Sequence, residues 1–264
     1  MTKKARVLGL IDNTRFDVLS YCLMAQPITV IAKNFINLLY PLHCAACKTA
    51  LDPLDRSGLC SFCEDKIKTN PRLYCTLCGR PVQSGGGSCA ECERHSFAFD
   101  RAWSACLYEG VLKELISLFK YRGRLALSGI LSGKLVEFIK DNVEIIDGVN
   151  LITFVPLYNG WLSEREYNQS GILAAAISRE FKIPVSKALE KTARTRRQNE
   201  LSREERLTNL TGAFKSKDDA AIDGARILLI DDVMTTGATL SECAKILKGA
   251  GAGEVRCLTL ARGL

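Results

Sequence analysis

Residues 227–239, ILLIDDVMTTGAT, decide the fold of this chain. Ile227 to Ile230 are an unbroken apolar run, the composition of a parallel strand buried on both faces. Two adjacent acids follow, Asp231 and Asp232, and then a turn of small and hydroxyl residues, Thr235-Thr236-Gly237-Ala238-Thr239. Beyond the turn, Leu240, Cys243, Ala244 and Leu247 recur at helical spacing. A buried strand, an acidic tip, a small-residue turn and a helix N-terminus together suit a ribose that carries a phosphate. Loop N–H groups and the positive end of the helix favour the phosphate. The threonine hydroxyls add donors, and Gly237 lets the backbone approach closely. Carboxylates at the strand tip can accept hydrogen bonds from sugar hydroxyls or hold Mg2+.

Outward from this stretch, strands and helices alternate. Helices are predicted over 111–119, 124–140, 169–181 and 239–249, and strands over 151–157, 226–231 and 255–261. Such alternation implies right-handed crossovers, a parallel sheet and a ligand site at the carboxyl ends of its strands. The stretch after the 151–157 strand therefore lies on the same edge, with Arg165, Asn168 and Gln169 as candidates to face the site and Trp161 able to stack or pack.

The chain has 264 residues, 47% of them hydrophobic, enough for one full core and a smaller module. A net charge of +7 leans towards anionic partners such as phosphates or nucleic acid. The longest uncharged N-terminal stretch, 18–32, is too short to span a membrane and holds Gln26 and Pro27. No signal peptide is evident, so a cytoplasmic location is expected.

Eight of the twelve cysteines form four C-x2-C pairs: Cys44/Cys47, Cys60/Cys63, Cys75/Cys78 and Cys89/Cys92. Pairs at this spacing grip a metal from a tight turn, and two pairs complete a tetrahedral Zn2+ site. Two structural zinc ions are expected. The simplest assignment is sequential, Cys44/47/60/63 and Cys75/78/89/92; spacing leaves an interleaved one open. Cys22, Cys106, Cys243 and Cys257 stand among apolar neighbours and read as core residues, and His43 and His95 as bystanders. Three segments follow: 1–40, an amphipathic helical segment; 41–96, a cysteine module stabilised largely by its metal; and 97–264, the sheet domain. Lys48, Lys66, Lys68, Arg72 and Arg80 give the cysteine module a basic lean.

A basic stretch covers 190–210, with Lys191, Arg194, Arg196, Arg197, Arg203 and Arg206. It reads as a loop whose arginines close over a pyrophosphate or a nucleic-acid backbone.

The stretch at 227–239 resembles the phosphoribosyl pyrophosphate (PRPP) signature of type I phosphoribosyltransferases. The whole chain resembles the ComF family of competence-associated proteins (ComFC- and GntX-like). The resemblance rests on Leu38-Leu39-Tyr40-Pro41 before the first cysteine pair, Tyr108-Glu109-Gly110, Lys120-Tyr121-Arg122-Gly123 and Pro156-Leu157. It continues through Arg165 with Asn168-Gln169, Arg194-Thr195 with Gln198, Leu201-Ser202-Arg203, and Leu258 to Arg262. Phe154 and Tyr158 depart from it, standing where the family usually has proline and histidine, and Glu166-Tyr167 replace Gly-Phe.

The resemblance implies an α/β fold: a type I phosphoribosyltransferase-like parallel sheet flanked by helices, with a small N-terminal double zinc ribbon. It implies that Asp231 and Asp232 contact the ribose hydroxyls. Val233, Met234, Thr235, Thr236, Gly237, Ala238 and Thr239 would complete the phosphoribosyl site, which takes Mg2+ with PRPP. It also implies handling of single-stranded DNA during uptake or use as a nutrient, with a competence helicase as partner. The alternative is an active Mg2+-dependent phosphoribosyltransferase of nucleotide salvage, with Asp231, Asp232, Arg194 and Arg196 as its catalytic groups. A third reading is a PRPP sensor. The chain shows no recognisable nucleobase pocket and stops directly after the last strand, which ranks DNA handling first.

Overall fold

The computed structural model describes residues 42–52, 54–55, 57–71, 73–83, 87–121, 124–158, 167–192, 212–217 and 219–263. Four parallel strands form its sheet: β1 (Arg101–Leu107), β2 (Leu151–Phe154), β5 (Arg226–Met234) and β6 (Glu254–Arg262), in the order β1-β6-β5-β2. A bridge from Ile152 to Val185 extends the β2 edge. β3 (Leu189–Lys191) and β4 (Phe214–Ser216) make a separate antiparallel pair.

Seven helices accompany the strands among the described residues. In chain order they are α1 (Ser61–Glu64), α2 (Ala90–Arg94), α3 (Gly110–Tyr121), α4 (Ser128–Asp141), α5 (Gln169–Phe181) and α6 (Asp219–Ile222); α7 (Ala238–Gly249) follows β5 as a seventh. The predicted 124–140 helix opens with a 3-10 turn at Leu125–Leu127.

The apolar runs of β5 and β6 are buried on both faces, because side chains alternate across a pleated strand. Leu228, Ile230, Leu258 and Leu260 join one apolar cluster with α3, α4 and α5. Ile227, Leu229, Val255 and Cys257 join another with α7 and Phe214 of β4. After β2 the chain crosses one face through α5 and moves outward to Val185. After β5 it crosses the other face through α7 and moves inward to β6. The strand order thus reverses between β2 and β5, and the crevice beyond their carboxyl ends is where open α/β sheets take ligands.

The cysteine-rich segment covers the free edge of β1. Asn70 N–H donates to Ala105 O at 2.8 Å, Leu107 N–H to Lys68 O at 2.9 Å and Ala102 N–H to Leu77 O at 2.8 Å. The buried Asn70 amide adds bonds to Gly79 O (2.9 Å) and Ser104 O (3.0 Å). An edge strand that would otherwise present unpaired backbone groups is closed in this way.

β1 escapes a pattern search because Ala102, Ser104 and Ala105 interrupt its apolar run, although its central residues are all buried. The 226–231 strand proves longer than expected, since β6 continues beside it to Arg262 and supplies ladder bonds as far as Met234. The 151–157 strand proves shorter: its pairing ends at Phe154, just before Pro156. Among the described residues, no helix is long and apolar enough to cross a membrane. Residues 1–40, expected to be an amphipathic helical segment, lie outside those described.

Candidate functional site

At the carboxyl end of β5 an open cleft of about 210 Å³ is lined by Asp231 and by every residue from Val233 to Leu240. Asp231, Val233 and Met234 still pair with Thr259, Ala261 and Arg262, so the acids stand inside the ladder and the turn begins at Thr235. Gly237 has φ +82° and precedes α7. A Cβ there would lie 2.8 Å from Met234 Cε and 2.9 Å from Phe97 Cε1, so both side chains would have to shift, and the left-handed φ favours glycine in any case. The start of α7 has no side-chain cap from Gly237, which leaves its first N–H groups to other acceptors. The Ala238 N–H reaches Thr236 Oγ1 at 3.4 Å.

The two acids are held differently. Asp231 accepts from Ser170 Oγ of α5 at 2.9 Å and from the Asp232 N–H at 2.8 Å, both on Oδ1. Burial, reinforced by the neighbouring Asp232 charge, pushes its carboxyl up to about 7. Asp232 is buried and ion-paired to Lys120 at 2.7 Å. Burial works against the Lys120 ammonium, but the two aspartates outweigh it and hold its pKa above the usual value. Lys120 lies in the last turn of α3, where Tyr167 Oη donates to Phe119 O at 2.8 Å and Gln169 Nε2 lies 3.4 Å from the carbonyls of Phe119 and Lys120.

Arg262, 1% exposed, closes the site from behind. Its Nη1 donates to Met234 O at 2.8 Å, to Thr235 O, and to Gly263 O at 3.3 Å. Its Nη2 lies 3.9 Å from Cys78 Sγ. Burial pulls this guanidinium's pKa down, and the thiol of Cys78 pushes back.

The cysteines assemble in sequence order. Within each of the sets Cys44/47/60/63 and Cys75/78/89/92, the Sγ atoms all lie within 4.8 Å of one another. Sulfur pairs at 3.7 Å (Cys47–Cys60, Cys75–Cys92, Cys78–Cys89) and 3.6 Å (Cys89–Cys92) match the roughly 3.8 Å edge of a tetrahedron with Zn–S arms of about 2.3 Å. The two tetrads fit two structural zinc sites, and neither includes His43 or His95. Cys106, Cys243 and Cys257 are buried core residues, and burial raises their thiols far above the range of a reactive nucleophile.

The structure brings together Asp231, Asp232 and the turn 235–239, and places other expected residues elsewhere. Asn168 caps α5, accepting from the Gly171 N–H at 3.0 Å and donating to Val155 O at 3.0 Å. Gln169 is buried behind Lys120. Both are therefore structural, because a strand-to-helix turn has backbone groups of its own to satisfy. Arg194, Arg196 and the rest of 193–211 lie outside the described residues, as do Trp161 and Arg165. The ends of that segment are placed: Thr192 N–H donates to Ala213 O at 2.9 Å, and Gly212 N–H to Glu242 Oε1 of α7 at 3.2 Å. Of the basic residues that give the cysteine module its lean, Lys68 is paired locally with Glu109 at 2.7 Å and Arg80 with Glu91 at 2.5 Å. Lys120, Ser170 and Arg262 escape a reading for site residues. Lys120 and Arg262 fall within the stretches that resemble the family, but nothing in the spacing says that they converge on Asp232 and the turn.

Comparison with known proteins agrees with this architecture. A family model described as "Phosphoribosyl transferase domain" matches residues 168–264, and one described as "Double zinc ribbon domain" matches residues 35–93. The chain is similar to "Competence protein F" of Haemophilus influenzae, 32% identical across 87% of this chain and 99% of that protein. It is 31% identical to "DNA utilization protein YhgH" of Escherichia coli across 84% of this chain and 98% of the relative. It is also 31% identical to "Competence protein ComFC" of Bacillus subtilis across 77% of this chain and 84% of the relative.

Proposed function

Since the chain belongs to the ComF family of competence and DNA-utilization proteins, we propose that it handles single-stranded DNA during uptake or use, with a phosphoribosyl group bound in the cleft after β5. The observation that carries the binding half is the lining of that cleft: Asp231 on one side and a continuous run from Val233 to Leu240 around the rest. The DNA half rests on the names of the relatives.

Each group has a task that its chemistry suits. The turn and the start of α7 present N–H groups towards a 5′-phosphate. Asp231, with one oxygen already engaged by Ser170 and the Asp232 N–H, uses the other for a ribose hydroxyl or for Mg2+ bound with PRPP. Lys120 holds Asp232 in place beside it through their ion pair. The arginines of 193–211, Arg194 and Arg196 among them, enter the chain between the placed ends of β3 and β4 and supply positive charge to a pyrophosphate or a DNA backbone. A competence helicase as partner remains part of the family reading. The second reading, an active transferase, uses the same paired acids and differs only in pyrophosphate release.

The test is calorimetry of Mg2+–PRPP binding to the zinc-loaded protein, with single-stranded DNA as competitor. Asp231→Asn, which leaves the Lys120–Asp232 pair intact, should weaken binding at least about tenfold while the thermal midpoint stays near wild type; undiminished affinity would remove the site. Asp231 has its pKa raised on folding, so its protonated form stabilises the fold at low pH and that contribution is lost as pH rises through about 7. The ligand needs the carboxylate, so affinity should rise from pH 6 to pH 8 in wild type. A flat profile would argue against Asp231 as the acceptor. Displacement by DNA favours a shared site, and pyrophosphate release on adding an acceptor would favour the transferase.

A further inference from the structure

Arg262 is a buried cation without a carboxylate partner among the described residues. Apart from three carbonyls, the group it faces is Cys78 Sγ of the second tetrad, 3.9 Å from Nη2. Arg80, the nearest other cation in that region, is already paired with Glu91. Four thiolates around one zinc carry a net charge of about −2, so the loaded tetrad is the counter-charge that a guanidinium in this position requires.

The other side of the guanidinium sets the shape of the turn. In a planar trans peptide the C=O and the following N–H point in opposite directions. Arg262 draws the carbonyls of Met234 and Thr235 to itself, so the N–H groups of Thr235 and Thr236 point away from it. Arg262 is absent from the cleft lining, whereas Thr235 and Thr236 belong to it. The chain just after the second tetrad touches the turn twice more. Phe97 lies against Gly237, and Ala98 N–H donates to Ser241 Oγ of α7 at 3.0 Å. Among the described residues nothing comparable links the first tetrad to the turn.

We propose that Arg262 is a positioning residue that couples the second zinc site to the anion-binding turn: the metal-bound thiolates hold the guanidinium, and the guanidinium holds the turn with its N–H groups towards the cleft. The coupling runs both ways. Loss of metal from Cys75/78/89/92 releases the turn, and loss of Arg262 loosens that metal while leaving the one on Cys44/47/60/63 in place. What the turn binds rests on the function proposed above, but the coupling is measurable with no ligand present.

The experiment uses full-length, zinc-loaded protein and two readouts: hydrogen–deuterium exchange of residues 234–241, and the rate at which a chromogenic chelator extracts each zinc. Arg262→Gln should raise exchange in that segment at least tenfold and speed release of one of the two zinc ions at least tenfold. Arg262→Lys keeps the charge but not the planar fork. It should hold both zinc ions within about threefold of wild type and still speed exchange in the turn. Should Arg262→Gln fail to fold, Cys92→Ser approaches from the metal side with Arg262 intact, and should speed exchange in 234–241 at least tenfold, whereas Cys47→Ser in the first tetrad changes it less than twofold. Equal effects of Cys92→Ser and Cys47→Ser on the turn, or equal release of both zinc ions from Arg262→Gln, would overturn the proposal. Neither readout involves PRPP, so a failed coupling and a failed phosphoribosyl site give separate results.

Discussion

The two cysteine tetrads share one spacing rule and differ in what the fold builds around them. In the first, Cys44 and Cys63 are buried while Cys47 is exposed, and the set packs into the apolar cluster of α3 and α4. In the second, Cys75, Cys78 and Cys89 are all buried and belong to the cluster on the α7 side of the sheet. The first is tied to the sheet domain partly through the surface, by Glu64 of α1 on Lys134 of α4 at 3.0 Å. The second backs onto the turn of the candidate site through Arg262 and Phe97. A metal clip is local chemistry, whereas its consequence depends on the face of the sheet it lies against.

The comparison breaks most visibly under substitution of single ligands. Cys75→Ser removes a fully buried thiolate, and the metal that it releases supplies folding free energy to a segment with little core of its own. A loss of about 3–4 kcal/mol, at roughly 2–4 °C per kcal/mol, should lower the thermal midpoint by about 10 °C. Cys47→Ser, at an exposed ligand, should shift it by less than half as much. Zinc content by mass spectrometry should fall from two to one per chain in each variant, and equal shifts in midpoint would erase the distinction drawn between the tetrads.

A smaller effect belongs to the seam between the cysteine segment and β1. Asn70→Ala removes the amide bonds to Gly79 O and Ser104 O and should cost about 1–2 kcal/mol in urea unfolding. Because Gly79 follows Cys78, the zinc it loosens should be the second one. Preferential loss of the first would show that the seam serves the other tetrad. The smallest effect is expected at Lys134→Ala. Its pairs with Glu64 and Glu137 are partly exposed and worth at most about 1 kcal/mol, fading at high salt. A larger or salt-independent loss would give the surface tie a greater part in holding the first tetrad than the comparison allows.

The features readable from sequence share a physical cause, namely local periodicity or local coordination geometry. The apolar run 227–230, followed at once by two acids and a glycine turn, reads as a strand buried on both faces, and four C-x2-C pairs read as ligands of shared ions. The helix at 169–181 matches its expected bounds because its core-facing positions repeat at helical spacing. The three-residue pair β3 and β4 was not, since strands that short have no periodicity to detect. Asn168 and Gln169 looked like site residues because they follow a strand end, but backbone groups at that turn claimed both side chains.

By itself, then, the sequence determined the parallel α/β architecture, the eight cysteines of the two tetrads and the strand–turn–helix at 227–239 that carries the candidate site. The tertiary structure decided how the cysteines pair, which carboxylate opens onto the cleft and which is taken by Lys120, and that the second tetrad stands behind the turn. The reason is separation along the chain. Lys120 and Asp232, or Cys78 and Arg262, are more than a hundred residues apart, and no local pattern encodes a contact that exists only once the sheet has brought both ends to one edge.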